Sequence, residues 1–353
     1  MPYILLPLLA FFAFLFEKPV HQTKLYKILL WFSILAAVGI VGFRGEGIGT
    51  DYWQYRGYFS EWVSKIEPGF NILSAIFRSL GANFIVFSAI YFILTLFFKI
   101  WVFKKMSLSA AISLMISFGF WLLVYDLNGI RQGLSVAFLG VAVYHTYKKN
   151  LYRYLLFVVL AISFHYSSLV FLPFYFLVNI KIDKVGMFII VALIFLFNLF
   201  DLSKYMFAFF MDSSASDSYF QSKTSAYSNI EEYNANALFS FGVIHRLIIF
   251  LLTLFTVERI SADERLKRIF LIAAFLNFST YLMLSSIELI ATRGSLGFRY
   301  VECIYFSYLP FLFKNRFLQY LAGFIILAYV ILQVYLTISV PDGNLVPYRT
   351  IFG

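Results

Sequence analysis

The 353-residue chain is 61% hydrophobic and 21% aromatic, with 13% charged residues and a net charge of +10. Soluble domains average about 45–50% apolar and about 25% charged residues, so a cytosolic enzyme, a disulfide scaffold, a disordered chain and a single-anchor protein are excluded. Lipid is the solvent, and at ~20 apolar residues per crossing there is room for about a dozen spans.

Apolar runs between charged or Gly/Pro/Ser breaks predict spans near 3–16, 25–43, 82–98, 107–124, 129–146, 151–164, 166–180, 185–200, 238–257, 268–287, 300–313 and 317–340. The expectation is an all-α polytopic membrane protein of about 12 transmembrane segments, 11 to 13, forming one membrane domain over residues 1–353. The first run has no basic leader and no small-residue cleavage site, so it is expected to stay as a span. Basic residues are retained on the cytoplasmic side, and they cluster at Lys18/Lys24/Lys27, Lys99/Lys104/Lys105, Lys148/Lys149/Arg153, Arg259/Arg265/Lys267/Arg268 and Lys314/Arg316. All of these fall inside only if the run 151–180 breaks at Phe164-His165-Tyr166-Ser167-Ser168 and the chain returns to a cytoplasmic turn at Lys181 and Lys184. The inner loops then hold 17 basic and 5 acidic residues, and the outer face 11 basic and 13 acidic. The basic excess is therefore a topology signal and not the contiguous face that nucleic acid requires. The single cysteine, Cys303, allows no internal disulfide, and no His/Cys/Asp/Glu cluster has metal-ligand spacing.

The outer segments carry the unusual polar chemistry. In the loop 44–81, three spaced glycines lead to Thr50 or Asp51, expected to cap a short interfacial helix bearing Tyr52, Trp53, Tyr55, Arg56, Tyr58 and Phe59. Glu67-Pro68-Gly69 then places a proline where a helix starts, with a carboxylate beside its positive end. Four arginines at membrane edges stand out: Arg131 in YDLNGIRQG, Arg246 in GVIHRL, and Arg293 with Arg299 in ATRGSLGFRYVE. Charges there are expensive and point to function, and the guanidinium fork suits phosphate oxygens. Internal pairs such as Arg131 with Asp126, or Arg299 with Glu302, are the alternative. His165, at the break in the 151–180 run, is a general-base candidate or a group that bonds a broken helix. The Ser-rich loop 201–237 is expected to lie on the same outer face.

Taken in order, GTDYWQYRGYF, EPGF, NGIRQGLSVA, SFHYSSL, TRGSLGFRY and PYRTIF resemble the EpsG-like branch of the Wzy-type polysaccharide polymerases, from about residue 44 to the end. The resemblance implies a GT-C-like glycosyltransferase of the bacterial inner membrane with short periplasmic helices. Such an enzyme joins undecaprenyl-diphosphate-linked repeat units into O-antigen or exopolysaccharide at the periplasmic face. By position, Asp51, Tyr55, Glu67, Arg131, His165, Arg293 and Arg299 match the family's characteristic polar residues; Arg246 falls on more variable ground. The expected roles are catalysis for His165, Asp51 or Glu67, diphosphate binding for Arg131, Arg293, Arg299 and Arg246, and glycan contact for Tyr52, Trp53, Tyr55 and Arg56. No metal or other cofactor and no nucleic acid is expected. The partners are lipid-linked glycans and membrane lipid, with a chain-length regulator and a repeat-unit flippase as companions. A lipid-linked-oligosaccharide flippase and an O-antigen ligase are the alternatives. The break at His165 is tested by Ser167→Cys: a membrane-impermeant thiol reagent added outside should label it, and labelling only from the cytoplasmic side refutes the hairpin.

Overall fold

The computed structural model describes residues 2–17, 23–180, 182–200, 240–285, 287–340 and 343–351. Among the described residues fifteen α-helices follow in chain order: α1 Pro2–Leu15, α2 Lys24–Gly42, α3 Tyr52–Ser60, α4 Pro68–Ser79, α5 Phe84–Met106, α6 Ala110–Ile116, α7 Ile130–Tyr147, α8 Leu151–Phe164, α9 Phe174–Leu177, α10 Lys184–Leu199, α11 Phe241–Thr256, α12 Glu264–Met283, α13 Glu288–Arg299, α14 Glu302–Tyr305 and α15 Arg316–Ile338. A π-helix, Ser117–Asn128, continues α6, and 3-10 turns cover Tyr166–Phe171 and Phe306–Leu312. Among the described residues there is no strand, only one antiparallel bridge between Arg44 and Thr350. The side chains of Thr23, Asn83, Ser109, Asn150, Asp183, Ser240, Asp263 and Asn315 each accept a main-chain N–H at a helix start, satisfying donors that lipid could not.

Lys24–Gly42, Phe84–Met106, Ala110–Asn128, Glu264–Met283 and Arg316–Ile338 are long and apolar enough to cross a membrane. Shorter apolar helices cover Pro2–Leu15, Leu151–Phe164, Tyr166–Leu177, Lys184–Leu199 and Phe241–Thr256. Trp31, Phe32 and Leu35 on α2 and Phe324 and Ile325 on α15 are exposed, which is favourable only against acyl chains. The protein is an all-helical membrane protein. Within the described residues, each of the twelve apolar runs contains helix. The loop 201–237 lies outside the described residues.

By its contacts the chain divides into two units, Met1–Tyr166 with Glu302–Gly353, and Ser167–Val301. The first division falls just after the break at His165. In the first unit, α1 packs on α2, α6 and α15, and α7 packs on both α5 and α8. In the second, α12 packs against α10, α11 and α13.

Lys99 corrects the expected topology in one place. It does not sit in a cytoplasmic turn: α5 runs on to Met106, and Lys99 is fully buried with its Nζ 2.7 and 2.6 Å from the two carboxylate oxygens of Asp126. The expected pair of Arg131 with Asp126 is thereby replaced. Hydropathy ends a span at the first charge, but an ammonium met by a carboxylate from the π-helix stays inside. Removing the pair from the side count takes one cation from the inner total and one anion from the outer, so the asymmetry survives as +11 against −1. Gly133 lets this segment close, because a Cβ there would stand 2.7 Å from both Asp126 Oδ1 and the Tyr125 carbonyl. Lys99→Met or Asp126→Leu alone should lower stability by roughly 3–5 kcal/mol, because the remaining charge is uncompensated. The double variant should recover most of it. Thermal unfolding in detergent measures this, and single variants as stable as wild type refute a charged pair.

Candidate functional site

The local structure of the first loop begins with backbone freedom. Gly47 and Gly49 have φ of +77° and +93°, values that cost a side-chain-bearing residue but not glycine, and they turn the chain from the end of α2 into α3. Asp51 is the N-cap residue of α3, as expected, but its side chain makes no capping bond. Instead its main-chain N–H donates to Asn128 Oδ1 at 2.9 Å, while Asn128 Nδ2 donates to Thr50 Oγ1 at 2.7 Å. Asn71 orders the far end of the loop, accepting the Val63 N–H and donating to the carbonyls of Val63 and Ile66.

Three distant motifs meet at Glu67. Pro68 opens α4 with a fixed φ and no donor to lose, leaving Glu67 at the N-cap with no bond from its side chain to its own helix. The carboxylate beside the start of α4 therefore does not cap that helix. One carboxylate oxygen takes the Arg131 guanidinium, and the other accepts the Tyr166 N–H at 3.3 Å. That N–H faces outward because α8 ends at Phe164 and His165 is extended, with φ −157° and ψ 118°. The glycine of EPGF makes the approach possible: a Cβ at Gly69 would lie 2.7 Å from the Ser163 carbonyl oxygen.

Successive residues of NGIRQG serve the same place. Arg131 meets Glu67, and Gln132 meets His165, Nε2 to Nε2 at 2.9 Å. The side chains of Glu67 and Arg131 are 4% and 12% exposed. Arg131 lies 5.6 Å from the Tyr55 ring centroid and 5.7 Å from that of Tyr58, a cation–π enclosure. Its Nε is buried without a hydrogen-bond partner among the described residues. Burial pushes the Tyr55 phenol above its usual value, Arg131 opposes this, and Asp51 and Glu67 add to it. Tyr55 is thus a neutral hydroxyl at neutral pH, electrostatically in touch with both candidate carboxylates and with Arg131.

The glycan-contact candidates divide. Tyr52 and Tyr55 are buried in an aromatic wall with Phe84 and Phe70, which removes their faces from solvent. Trp53 is 57% exposed, and Arg56 stacks over it at 5.3 Å while pairing with Glu46 at 2.8 Å.

Arg44 was not singled out in the sequence, where it is merely the first cation after a span. It is buried, donates to the Leu127 carbonyl and lies 5.6 Å from the Tyr52 ring centroid. Burial draws its pKa down to about 10, opposed by Tyr52, Tyr3, Tyr348 and Tyr55. Gln132 and Asn128 lie inside the NGIRQG motif but carry no expected role, and Tyr58 is expected only as part of the interfacial helix.

The second unit holds the other arginines. Arg246 is buried with its guanidinium 3.6 Å from the Tyr281 ring centroid, and it donates to the Gly242 carbonyl at 3.0 Å. Tyr281 Oη donates to Glu288 Oε1 at 3.4 Å. Arg246 and Arg299, from α11 and α13, both act electrostatically on His245. Arg293 is half-buried on α13. Among the described residues no group of three or more His, Cys, Asp or Glu is placed to hold a metal.

The EpsG family model matches residues 27–350, nearly the whole chain. The chain belongs to the EpsG family. This is a Wzy-like polymerase family, so a glycosyltransferase-like polymerase is implied in general terms. No curated protein and no solved structure matches the chain. The EpsG match spans the loop carrying Asp51 and Glu67, the NGIRQG turn, the break at His165 and the α13 arginines. Two glycines test the packing that assembles the site. Gly69→Ala should cost about 1–3 kcal/mol by overpacking. Gly57→Ala, in α3 with open space at its Cβ, should gain up to about 1 kcal/mol of helix propensity. Equal effects in detergent unfolding would refute the close approach of α4 to α8.

Proposed function

We propose that this EpsG-family protein polymerises glycan repeat units carried on a polyprenyl diphosphate, of the undecaprenyl type, at the outer face of a bacterial inner membrane. We read the fold as GT-C-like, with the twelve helical runs as spans. The observation that carries the proposal is the convergence of EPGF, NGIRQG and SFHYSSL on one buried ion pair, Glu67 with Arg131, flanked by His165.

The reaction needs two things. A sugar hydroxyl of one repeat unit must lose its proton as its oxygen attacks the anomeric carbon of another. The bond from that carbon to the diphosphate must break, the electron pair leaving with the lipid diphosphate. His165 takes the proton. It sits at the extended break with its ring oriented by Gln132. Arg131 offers an unpartnered Nε–H in a water-poor enclosure, where fixed donors stabilise developing negative charge best. Glu67 and the Tyr55 and Tyr58 rings hold Arg131 in place. Asp51, whose main-chain N–H is held by Asn128, is our alternative proton acceptor. Arg293 and Arg299, with Arg246, remain our assignment for further diphosphate contact, and Trp53 with Arg56 for stacking on a sugar ring. A chain-length regulator and a repeat-unit flippase are the proposed companions.

The test is made in a glycan-producing host. Deleting the gene should leave single repeat units on the surface carrier in place of long chains. Complementation with Arg131→Ala should reduce chain growth by roughly 10²–10³-fold, and His165→Ala should do the same, with the proteins present at wild-type level. Loss of all surface glycan with lipid-linked units trapped inside overturns the reading in favour of a flippase. Wild-type chain length in both variants removes these residues from the site.

A further inference from the structure

Arg44 differs from every other deeply buried cation of the first unit. Lys99 has Asp126, and Arg131 has Glu67. Arg44 is 2% exposed, and among the described residues no carboxylate pairs with it. One terminal nitrogen is used on the Leu127 carbonyl, and Nε has no hydrogen-bond partner. The groups that act on it electrostatically are four tyrosines, Tyr52, Tyr3, Tyr348 and Tyr55. Tyr3 donates to the Leu345 carbonyl at 3.1 Å and Tyr348 to the Ile40 carbonyl at 2.9 Å. Both hydroxyl protons are thus committed to main-chain acceptors.

A full positive charge in such a place is unfavourable, because a neutral ring of phenols and one carbonyl replace water incompletely. The structural contacts of the Arg44 side chain are the bond to the Leu127 carbonyl and the approach to the Tyr52 ring. The strap that closes the loop is made of main chain: Gly45 N–H to the Arg349 carbonyl at 2.8 Å, Gly49 N–H to the Asn344 carbonyl at 2.9 Å, and Ile351 N–H to the Phe43 carbonyl at 3.0 Å. A buried cation kept without a counter-ion calls for one that arrives with the ligand. Tyr55 connects the position to the site already described, since it acts on both Arg44 and Arg131.

We propose that Arg44 is an anion-binding residue that supplies the uncompensated positive charge for a phosphate-type oxyanion, the diphosphate of a lipid-linked glycan in the reading above. Arg131, neutralised by Glu67, provides directed donors, and Arg44 provides the net charge. The inference rests on the polymerase reading for the identity of the ligand, but not for the existence of the anion site.

The test uses the full chain, purified in detergent and in nanodiscs. Inorganic diphosphate should raise the unfolding temperature of the wild type, and Arg44→Gln should need at least tenfold more diphosphate for the same rise. Without ligand, Arg44→Gln should unfold at a temperature equal to or above that of wild type, because an uncompensated buried charge is gone. A purely structural arginine predicts a drop. Protection by inorganic diphosphate assigns the site to a diphosphate group. Protection only by nanodiscs containing phosphatidylglycerol, against phosphatidylcholine controls, assigns it to a lipid headgroup phosphate. Protection by neither, or equal protection of wild type and Arg44→Gln, overturns the proposal. If Arg44→Gln does not fold, hydrogen exchange on the wild type decides: diphosphate should alter it at Gly45, Gly49 or Ile351, and no change at any of them overturns the site. Wild type that binds diphosphate through Arg44 yet supports no chain growth would sink the polymerase reading alone. Chain growth lost in Arg131→Ala but intact in Arg44→Gln, with diphosphate binding unchanged, would sink Arg44 alone.

Discussion

A charge buried away from water is costly unless an opposite charge meets it, and in the first unit this cost selects which sequence-distant segments touch. Lys99 on α5 draws in Asp126 at the end of the π-helix. That pair fixes the segment 125–129, whose Asn128 then clasps Thr50 and Asp51. Two residues past Gly129, Arg131 reaches Glu67, and the same carboxylate collects the Tyr166 N–H. Two ion pairs thus tie the loop 44–81, the start of α7 and the end of α8 into one arrangement. Desolvation makes each pair costly to form and costlier to half-remove. The arrangement is therefore fixed in geometry whatever its net contribution to stability.

Close backbone approach is the second condition. Gly133 admits the Asp126 carboxylate and the Tyr125 carbonyl, and Gly69 admits the Ser163 carbonyl. At both places a methyl group would occupy the space that the neighbouring segment fills, so the ion pairs could not close. Gly119 plays a related part where the π-helix is interrupted, its ψ of −122° lying outside the helical range, with Val330 of α15 packed where a side chain would be. Wide helical turns of this kind recur at functional sites, and this one ends at Asn128, directly before the NGIRQG turn.

Much of this was legible in the sequence, for identifiable reasons. Helix bounds follow from apolar runs and polar caps, which is why 151–164 and 185–200 fall within a residue of α8 and α10. The break at His165 was legible because loop charges allow only one fold of the run 151–180. Glu67, Arg131 and His165 stood out as polar residues at membrane edges, and the fold brings them together. Their partners were not legible. Pairing Arg131 with Asp126 follows from proximity along the chain, but residues five apart on a turn do not face each other, and Asp126 faces α5 instead. Lys99 looked like loop because hydropathy cannot see a compensating charge 27 residues away. Tyr52 and Tyr55 looked like sugar-stacking surface because an aromatic helix at an interface has two faces, and composition does not say which one is buried.

The same logic separates the arginines by what surrounds them. Arg131 is compensated, so its worth to a phosphate lies in orientation: a planar fork held by Glu67 and two tyrosine rings, with Nε left to donate. Arg246 is held against an aromatic face in a group that also contains Glu288 and His245. Arg44 alone among these has only neutral partners, carbonyl and phenol. Compensated cations give direction without much long-range attraction, and an uncompensated one gives attraction that any anion can satisfy. A site that must bind a diphosphate and then release it as a leaving group needs both, because direction serves the transition state and net charge serves capture.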